Sequence, residues 1–324
     1  MGVGNADGLH SPDLVTLRGI LKVCELEMIL LGKQGPKALA DCVATDEMVF
    51  LSGEVDFSFR GRFSLPPAWC MLGYVHRTDG SSWCHGTPLA SGMAFTVTPE
   101  GISEFALAPG SSITALLFPF QRLLEKFTAL KPHQGDFPSR SLALLTLSDD
   151  ERGAAVRGRL EALRDQLLAC DGTVLNADDV DVDGLIEAHL LAALSTRPEH
   201  RPLCSRRRRT HYLIVQRAED FMRQHLRRDI YMQELCNAAG VSERALRYAF
   251  EDLLGLSPNR YLSMLRLCMA CRNLTLSDAS HRSVKSVALS CGLWDLSRFA
   301  DHYKRIFGER PSDTLMRAPP LEMA

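Results

Sequence analysis

One motif occurs twice in the last third of the chain, and this repeat constrains the fold more than any other feature of the sequence. The first copy, ELCNAAGVSERALRYAFEDLLGLSP, runs from Glu234 to Pro258, and the second, SVALSCGLWDLSRFADHYKRIFGERP, runs from Ser286 to Pro311. The positions that match at a constant offset of 53 are Leu246 with Phe299, Phe250 with Tyr303, Leu254 with Phe307, Gly255 with Gly308 and Pro258 with Pro311. Upstream the offset is 52, because Gly240 matches Gly292. The added residue falls in a turn, as expected for two copies of one helical unit.

Each copy has the pattern of a helix-turn-helix. A short helix with small or apolar residues at helical spacing ends at Gly240 or Gly292, and glycine readily takes the left-handed backbone of a sharp corner. A second helix follows with an apolar stripe on one side, and a glycine and then a proline end it. The spacing predicts helix-turn-helix units over residues 234–255 and 284–308. A helix about 10 to 12 Å across fits the major groove of B-DNA, although helical hairpins that merely pack together would show a similar pattern.

The repeat and the segment between its copies resemble the AraC/XylS (arabinose-regulator) family of bacterial transcription regulators over residues 212–315. The segments that carry the resemblance are ELCNAAGVSERALRYAFEDLLGLSPNRYL, RLCMACRNL at Arg266–Leu274, and VALSCGLWDLSRFADHYKRIFGERP. The resemblance implies two helix-turn-helix subdomains joined by a long helix, usually behind a separate sensing or dimerising domain. It also implies a function in transcription, with double-stranded promoter or operator DNA and RNA polymerase as partners, and with activation as the output.

The second helix of the first unit presents residues suited to reading bases. Arg244, Arg247 and Tyr248 share the face that the apolar stripe leaves free, and arginine can bind guanine O6 and N7 through two hydrogen bonds. The resemblance implies base contacts at the same positions. In the second unit the equivalent residues include Asp301, where many relatives have a basic residue. We predict base reading by Arg244, Arg247, Tyr248, Ser297, Arg298 and Asp301, and phosphate contacts from Ser242, Arg260, Lys304, Arg305 and Arg310.

The formal net charge of −2 hides an asymmetry between the two parts of the chain. Residues 1–200 contain 16 Lys and Arg against 26 Asp and Glu, whereas residues 201–324 contain 21 against 13. A basic module attached to an acidic one is typical of a phosphate-binding domain whose companion domain is repelled by DNA. The length of 324 residues predicts about two domains.

Ten cysteines are scattered through the chain, and the sequence has neither an N-terminal apolar signal run nor a long apolar span. This pattern predicts a reducing, cytoplasmic location and no membrane partner, and the family resemblance implies association with the nucleoid. Cys268 and Cys271 form a C-x-x-C inside the predicted connecting helix, where they fit buried apolar positions. No second ligand pair accompanies them, so we expect neither a metal nor a cofactor.

The first two hundred residues predict a different kind of domain. From Asp46 to Phe118, short apolar or alternating runs are separated by Gly and Pro, which predicts a β-sandwich or barrel, and from Phe120 the pattern becomes helical. This order resembles the sensing half of several family members, in which a cupin-type barrel holds a small effector and helices pair two subunits. The predicted fold class is multidomain α+β, with an N-terminal cupin-like barrel or sandwich, trailing helices and a C-terminal all-α double helix-turn-helix domain.

Aromatic side chains of the strand region are the candidates for an effector pocket. They are Phe57, Phe59, Trp69, Tyr74, Trp83 and Phe95, most of which would serve simply as core. The cupin metal signature, H-x-H followed by Glu, is missing, and His76, Cys84 and His85 lack its spacing. We expect those three to be ordinary loop and strand residues with satisfied hydrogen bonds. The leucine stripe of residues 157–170 predicts either a homodimer seam or packing on the barrel itself.

Changes in composition set the predicted domain boundaries. Residues 1–13 predict a disordered N-terminus, and a sensing or dimerisation domain follows over 14–195. Residues 196–210 (TRPEHRPLCSRRRRT) are rich in Pro and Arg and predict a linker, whose run Arg206–Arg209 is either a solvated tether or a phosphate contact. A DNA-binding domain is predicted over 211–318 and a short tail over 319–324.

Three functions are compatible with this organisation. The leading hypothesis is a sequence-specific transcription activator that responds to a small-molecule effector bound by its first domain and needs no enzyme chemistry. The alternative is a ligand-independent regulator whose first domain serves dimerisation or a protein partner. A third hypothesis, an enzyme with a reactive cysteine fused to a DNA-binding module, has no G-x-S-x-G, H-E-x-x-H or Walker motif to support it.

Overall fold

The computed structural model describes residues 25–32, 38–44, 48–99, 101–130, 142–147, 149–169, 181–195, 204–277 and 282–317. The predicted disordered N-terminus, the predicted tail over 319–324 and the predicted linker before Cys204 lie outside these ranges. Among the helices within them, none has both the length and the apolar composition that a membrane crossing requires.

The N-terminal part of the chain forms two antiparallel sheets. Its strands are β1 (Glu25–Leu30), β2 (Ala38–Ala44), β3 (Val49–Val55), β4 (Phe59–Ser64), β5 (Trp69–Arg77), β6 (Trp83–Cys84), β7 (Thr87–Pro88), β8 (Met93–Val97), β9 (Ser103–Leu107), β10 (Ser111–Pro119) and β11 (Leu142–Thr146). One sheet has the strand order β1-β4-β9-β6-β7 and the other β11-β8-β5-β10-β3-β2. Successive side chains of a strand point to opposite faces, so the alternating apolar runs give each sheet two distinct sides.

The six-stranded sheet packs on both of its faces. Its inner face, with Met71 and Leu117, meets side chains that follow β4 in the other sheet, such as Leu65. Its outer face is covered by three helices, α1 (Phe120–Leu130), α2 (Glu151–Ala169) and α3 (Val182–Ser195). The predicted α+β class, with a β-rich N-terminal domain and trailing helices, is therefore confirmed. Leu160 and Leu163 of the leucine stripe are buried in this layer, which matches packing on the domain itself.

Strand β11 departs from the predicted order of elements. The sequence predicted only helices after Phe120, yet Leu142–Thr146 pairs antiparallel with β8 as an edge strand of the six-stranded sheet. A five-residue apolar run is too short for its periodicity to distinguish a strand from part of a buried helix, which is the reason for the error.

The C-terminal part is all-helical. Its helices are α4 (Arg206–Gln224), α5 (Met232–Ala239), α6 (Glu243–Leu254), α7 (Pro258–Thr275), α8 (Val284–Ser290), α9 (Leu296–Phe307) and α10 (Pro311–Met316). The two predicted helix-turn-helix units are α5 with α6 and α8 with α9. Gly240 and Gly292 take the left-handed backbone at the two corners, with φ of 70° and 72°. Ser242 and Asp295 cap α6 and α9 by accepting the backbone N–H of Ala245 at 3.4 Å and of Arg298 at 3.0 Å.

The predicted linker over 196–210 is wrong at its C-terminal end, because α4 already begins at Arg206. The Ser205 side chain caps this helix by accepting the N–H of Arg208 at 3.2 Å. Arginine-rich composition suggested a solvated tether, but the cap and the buried side chains further along α4, including Tyr212, outweigh it. Cys268 and Cys271 are buried in the connecting helix α7, so their predicted packing role is confirmed.

Charged residues that are buried or partly buried join the two parts of the chain. This interdomain ion cluster consists of Glu27, Arg60, Arg62, Glu104, Glu219, Arg223 and Arg272. The Glu219 carboxylate of α4 lies 2.7 Å from Arg60 of β4 and 2.6 Å from Arg223. Glu104 of β9 lies 3.1 Å from Arg60 and accepts a hydrogen bond of 2.7 Å from Tyr212 of α4. The cluster therefore fixes α4 against the five-stranded sheet.

A second contact reaches the helix-turn-helix directly. The indole Nε1 of Trp83, on β6, donates to the backbone carbonyl of Leu253 in the last turn of α6 at 3.0 Å. Trp83 is fully buried, and the carbonyls of a helix's last turn have no partner within the helix. The N-terminal domain thus holds both α4 and the C-terminal end of α6.

Candidate nucleic-acid interface

The second helix of the first unit, α6, buries one face and exposes the other. Its buried side chains are Leu246, Ala249, Phe250, Leu253 and Leu254. The three predicted base readers, Arg244, Arg247 and Tyr248, are all exposed, and so is Ser242 at the start of the helix. The apolar stripe at helical spacing produces this separation, since residues three and four apart lie on one side of a helix.

An open concavity of about 740 Å³ runs along the exposed face of α6 and is lined by Ser242, Glu243, Arg244, Ala245, Arg247, Tyr248 and Glu251. Within it the Nη2 atom of Arg247 lies 2.6 Å from Oε1 of Glu243, one turn earlier. Both side chains are about half exposed, and an exposed pair at this spacing contributes only about 0.3 to 0.5 kcal/mol. Arg247 can therefore leave Glu243 for a stronger acceptor at little cost.

The second helix of the second unit, α9, repeats the arrangement. Its buried side chains are Phe299, Tyr303 and Ile306. Its exposed side chains include the predicted contacts Ser297, Arg298, Asp301, Lys304 and Arg305. Arg310 is also exposed, at the N-cap of α10.

Burial, and then three arginines among the predicted DNA contacts, lower the pKa of one histidine. Burial lowers the pKa of His302 on α9, and the positive charges of Arg305, Arg298 and Arg260 lower it further. Arg260 belongs to the first turn of the connecting helix α7 and the other two arginines to α9, so the fold brings positive charge from two helices to the same region. Such a region attracts phosphate.

Beside the second helices of the two units lie Trp294, which was not among the predicted contacts, and Arg207, which was predicted only as part of a run that is either a tether or a phosphate contact. Trp294 is 58% exposed and precedes the N-cap of α9, where an aromatic ring offers apolar contact to a thymine methyl group or a base. Its position in the turn before the second recognition helix was a usable signal. Arg207 of α4 contacts Tyr248, but assignment of its segment to a linker concealed it.

The predicted effector-pocket residues do not share one side of the sheet. Tyr74 packs on the outer face under α1 to α3, which places it away from any cavity between the sheets. Phe57, Phe59 and Trp83 belong to a different hydrophobic core from Tyr74. Trp69 and Phe95 are partly buried and pack against the cores on the inner face of the six-stranded sheet. Tyr74 therefore cannot line one pocket together with the other five candidates, because side chains alternate between the two faces of a strand.

The histidines and cysteine near β6 have ordinary hydrogen-bonding and packing roles. His76 Nε2 lies 2.7 Å from Thr114 Oγ1, and His85 Nδ1 lies 3.1 Å from Tyr212 Oη. Burial, and then the charge of Glu104, raises the pKa of the Cys84 thiol to about 12, the opposite of an activated nucleophile. Within the described ranges, no group of three or more His, Cys, Asp or Glu side chains is arranged to hold a metal ion.

Comparison with known proteins places the similarity in the helical domain. A family model described as a helix-turn-helix domain matches residues 235–317. A probable thc operon regulatory protein of Rhodococcus erythropolis is 32% identical over 106 residues, which are 33% of this chain and 32% of that protein. The XylDLEGF operon transcriptional activator 1 of Pseudomonas putida is 38% identical over 104 residues, 32% of this chain and 31% of that protein.

A solved structure is similar over a comparable share of the chain. The crystal structure of a probable AraC family transcriptional regulator from Rhodopseudomonas palustris is 35% identical, and the match covers 33% of this chain and 98% of that chain, with a TM-score of 0.30. The chain spans about a third of the length of the curated relatives it matches.

Two linked helix-turn-helix units, each with a buried stripe and an open polar face, define a double helix-turn-helix protein. The two curated relatives are a probable operon regulatory protein and an operon transcriptional activator. Through its C-terminal domain the chain belongs to the AraC/XylS family, as its sequence predicted.

Proposed function

We propose that this protein is a sequence-specific, DNA-binding transcription activator of the cytoplasm. The observation that carries the proposal is the repeated amphipathic helix: α6 and α9 each bury an apolar stripe and expose residues that can contact bases and phosphates. The names of the matched relatives support regulation of transcription. DNA and RNA polymerase are the macromolecular partners of this function.

The proposed N-terminal domain covers residues 14–195, and it binds a small effector and changes how the domain over 211–318 engages promoter DNA. Its rigid connection to α4 and α6, through the interdomain ion cluster and Trp83, supports such coupling. The alternative is that the same domain serves only a homodimer or a protein partner. A thermal-shift screen with metabolite mixtures separates the two, because a ligand at 100 times its Kd stabilises the folded state by about 2.7 kcal/mol.

Selection of bound sequences from a random pool of double-stranded DNA tests the central proposal with the full-length protein. We expect a bipartite motif whose halves lie about 34 Å, or one turn of B-DNA, apart. The half of the motif bound by α6 should be the better defined, because the negative charge of Asp301 on the exposed face of α9 repels phosphate. Recovery of no enriched motif would contradict sequence-specific binding.

Arg247→Ala is expected to lower affinity for the selected operator by about 1 to 3 kcal/mol and to relax one base position. The reason is the loss of an exposed guanidinium that can bind guanine through two hydrogen bonds. Titration of operator and random duplexes by fluorescence anisotropy measures both effects. Equal losses on the two duplexes would show that Arg247 does not read a base.

Two variants serve as controls for Arg247. Lys304→Ala removes a predicted phosphate contact, so it should weaken binding to operator and random DNA alike. It should also reduce the slope of log affinity against log salt concentration by about one. Glu243→Ala removes the partner of Arg247 on α6, and operator affinity should not fall, because the arginine is then free to meet DNA.

A further inference from the structure

The first turn of α4 lies against the exposed face of the recognition helix α6 at Tyr248. The guanidinium of Arg207 lies over the Tyr248 ring, 5.0 Å from its centroid, and Nη2 of Arg207 donates to the tyrosine hydroxyl. On another side the His211 ring meets the tyrosine ring edge-on, with centroids 5.3 Å apart and an interplanar angle of 88°. Tyr248 is nevertheless 49% exposed.

Asp252 holds the two α4 residues in place. Its Oδ2 atom lies 2.7 Å from His211 Nδ1, and its Oδ1 atom lies 3.6 Å from Arg207 Nη2. Asp252 follows Tyr248 by one turn on α6, so the contacts connect α4 to one face of the recognition helix. We call Arg207, His211 and Asp252 the tyrosine clamp.

An exposed tyrosine on a helix surface ordinarily samples several rotamers and loses that freedom when it binds. The tyrosine clamp restricts the ring before binding, and preorganisation of a contact residue lowers the entropic cost of recognition. The arrangement also carries a local penalty. Four arginines occupy the first turn of α4, where the positive end of the helix dipole disfavours cations. Departures of this kind are expected at functional sites.

We propose that Arg207 is a positioning residue for DNA reading, which fixes Tyr248 in the orientation that contacts the duplex. The inference rests on the proposed function and adds α4 to the surface that determines base preference. Arg207 itself remains 60% exposed, so the clamp leaves the tyrosine accessible from the solvent side. Asp252 contacts both Arg207 and the buried His211, so it links the two α4 residues to α6.

Selection from a random DNA pool with the full-length wild type, Tyr248→Ala, Arg207→Ala and Arg206→Ala tests the assignment. Arg206 is a matched control, because it is an exposed arginine of the same helical turn. We expect Tyr248→Ala and Arg207→Ala to relax the same operator position and to lose about tenfold in operator affinity. Arg206→Ala should weaken operator and random DNA equally and leave every base preference unchanged.

The double variant Arg207→Ala with Tyr248→Ala should lose little more operator affinity than either single variant, since one residue acts through the other. Arg207→Lys keeps the charge but not the planar group, so it should bind random DNA as the wild type does and still lack the wild-type base preference. An Arg207→Ala profile identical to that of Arg206→Ala would overturn the positioning role. If the wild type selects no motif at all, the proposed function fails as well, so the two failures are distinguishable.

Discussion

Glu219→Gln is expected to lower the free energy of unfolding by about 3 to 5 kcal/mol, because it removes one partner from a buried group of charges. The carboxylate has no exposed surface and lies within 2.7 Å of Arg60 and 2.6 Å of Arg223. Glutamine keeps the shape and loses the charge. The guanidinium of Arg60, which is also fully buried, then retains only Glu104 as an acidic partner among the ion pairs of the described chain.

The residue next to Glu219 provides the control. Asp220 lies 3.6 Å from Arg62 of the same cluster, but its side chain is 49% exposed. Asp220→Asn should therefore change the free energy of unfolding by no more than about 0.5 kcal/mol. Urea unfolding followed by circular dichroism gives both values. If the two variants prove equally stable, the buried ion pairs do not join the domains energetically.

Two further measurements separate charge from packing. Arg60→Met combined with Glu219→Leu removes the ion pair and fills the space with apolar groups, and it should recover much of the loss. Acid titration tests the carboxylate itself. Burial opposes its ionisation, but Arg60 and Arg223 outweigh burial and lower the pKa of Glu219. Its stabilisation is present above the unfolded pKa of about 4.3 and is lost as pH falls below that value, so Glu219→Gln should lose less stability on acidification.

The interdomain ion cluster connects the N-terminal domain to the same helix that carries Arg207. The same helix carries Glu219 and Tyr212 toward the five-stranded sheet and Arg207 and His211 toward α6. A shift of the N-terminal domain on α4 would therefore also move the tyrosine clamp. Such a connection is stiffer than the tether that the arginine-rich composition suggested.

Local signals predicted the helix-turn-helix units closely. The corner glycines, the caps Ser242 and Asp295, and the apolar stripes act within one or two helical turns, so they can be recognised without the rest of the fold. The exposed faces of α6 and α9 follow from the same spacing.

Contacts between residues far apart in the chain could not be predicted from the sequence. Arg60 and Glu219 are 159 positions apart in the numbering of the chain, and nothing near either residue shows that they meet. The same holds for β11, whose strand character depends on pairing with β8. In each case the missing information was the identity of a distant partner.

Gly292→Ala is expected to lower the free energy of unfolding by about 2 to 5 kcal/mol and to prevent the second helix-turn-helix unit from binding DNA. Two effects add: a left-handed backbone, with φ of +72°, costs a non-glycine residue about 1 to 2 kcal/mol, and overpacking costs about 1 to 3 kcal/mol. A Cβ at this position would lie 2.1 Å from the backbone carbonyl oxygen of Leu226 and 3.0 Å from Nε of Arg266. A backbone oxygen cannot rotate away, so the corner must move.

The internal repeat supplies the matched control for this corner. Gly240 has nearly the same φ, +70°, but in the described part of the chain nothing beyond its own neighbours lies within 4 Å of the position that a Cβ would take. Gly240→Ala should therefore cost only the backbone part, about 1 to 2 kcal/mol. Urea unfolding measures the difference, and DNA selection should show that Gly292→Ala loses the α9 half of the motif and keeps the α6 half. Equal costs at the two glycines would mean that contact with Leu226 does not constrain the second corner.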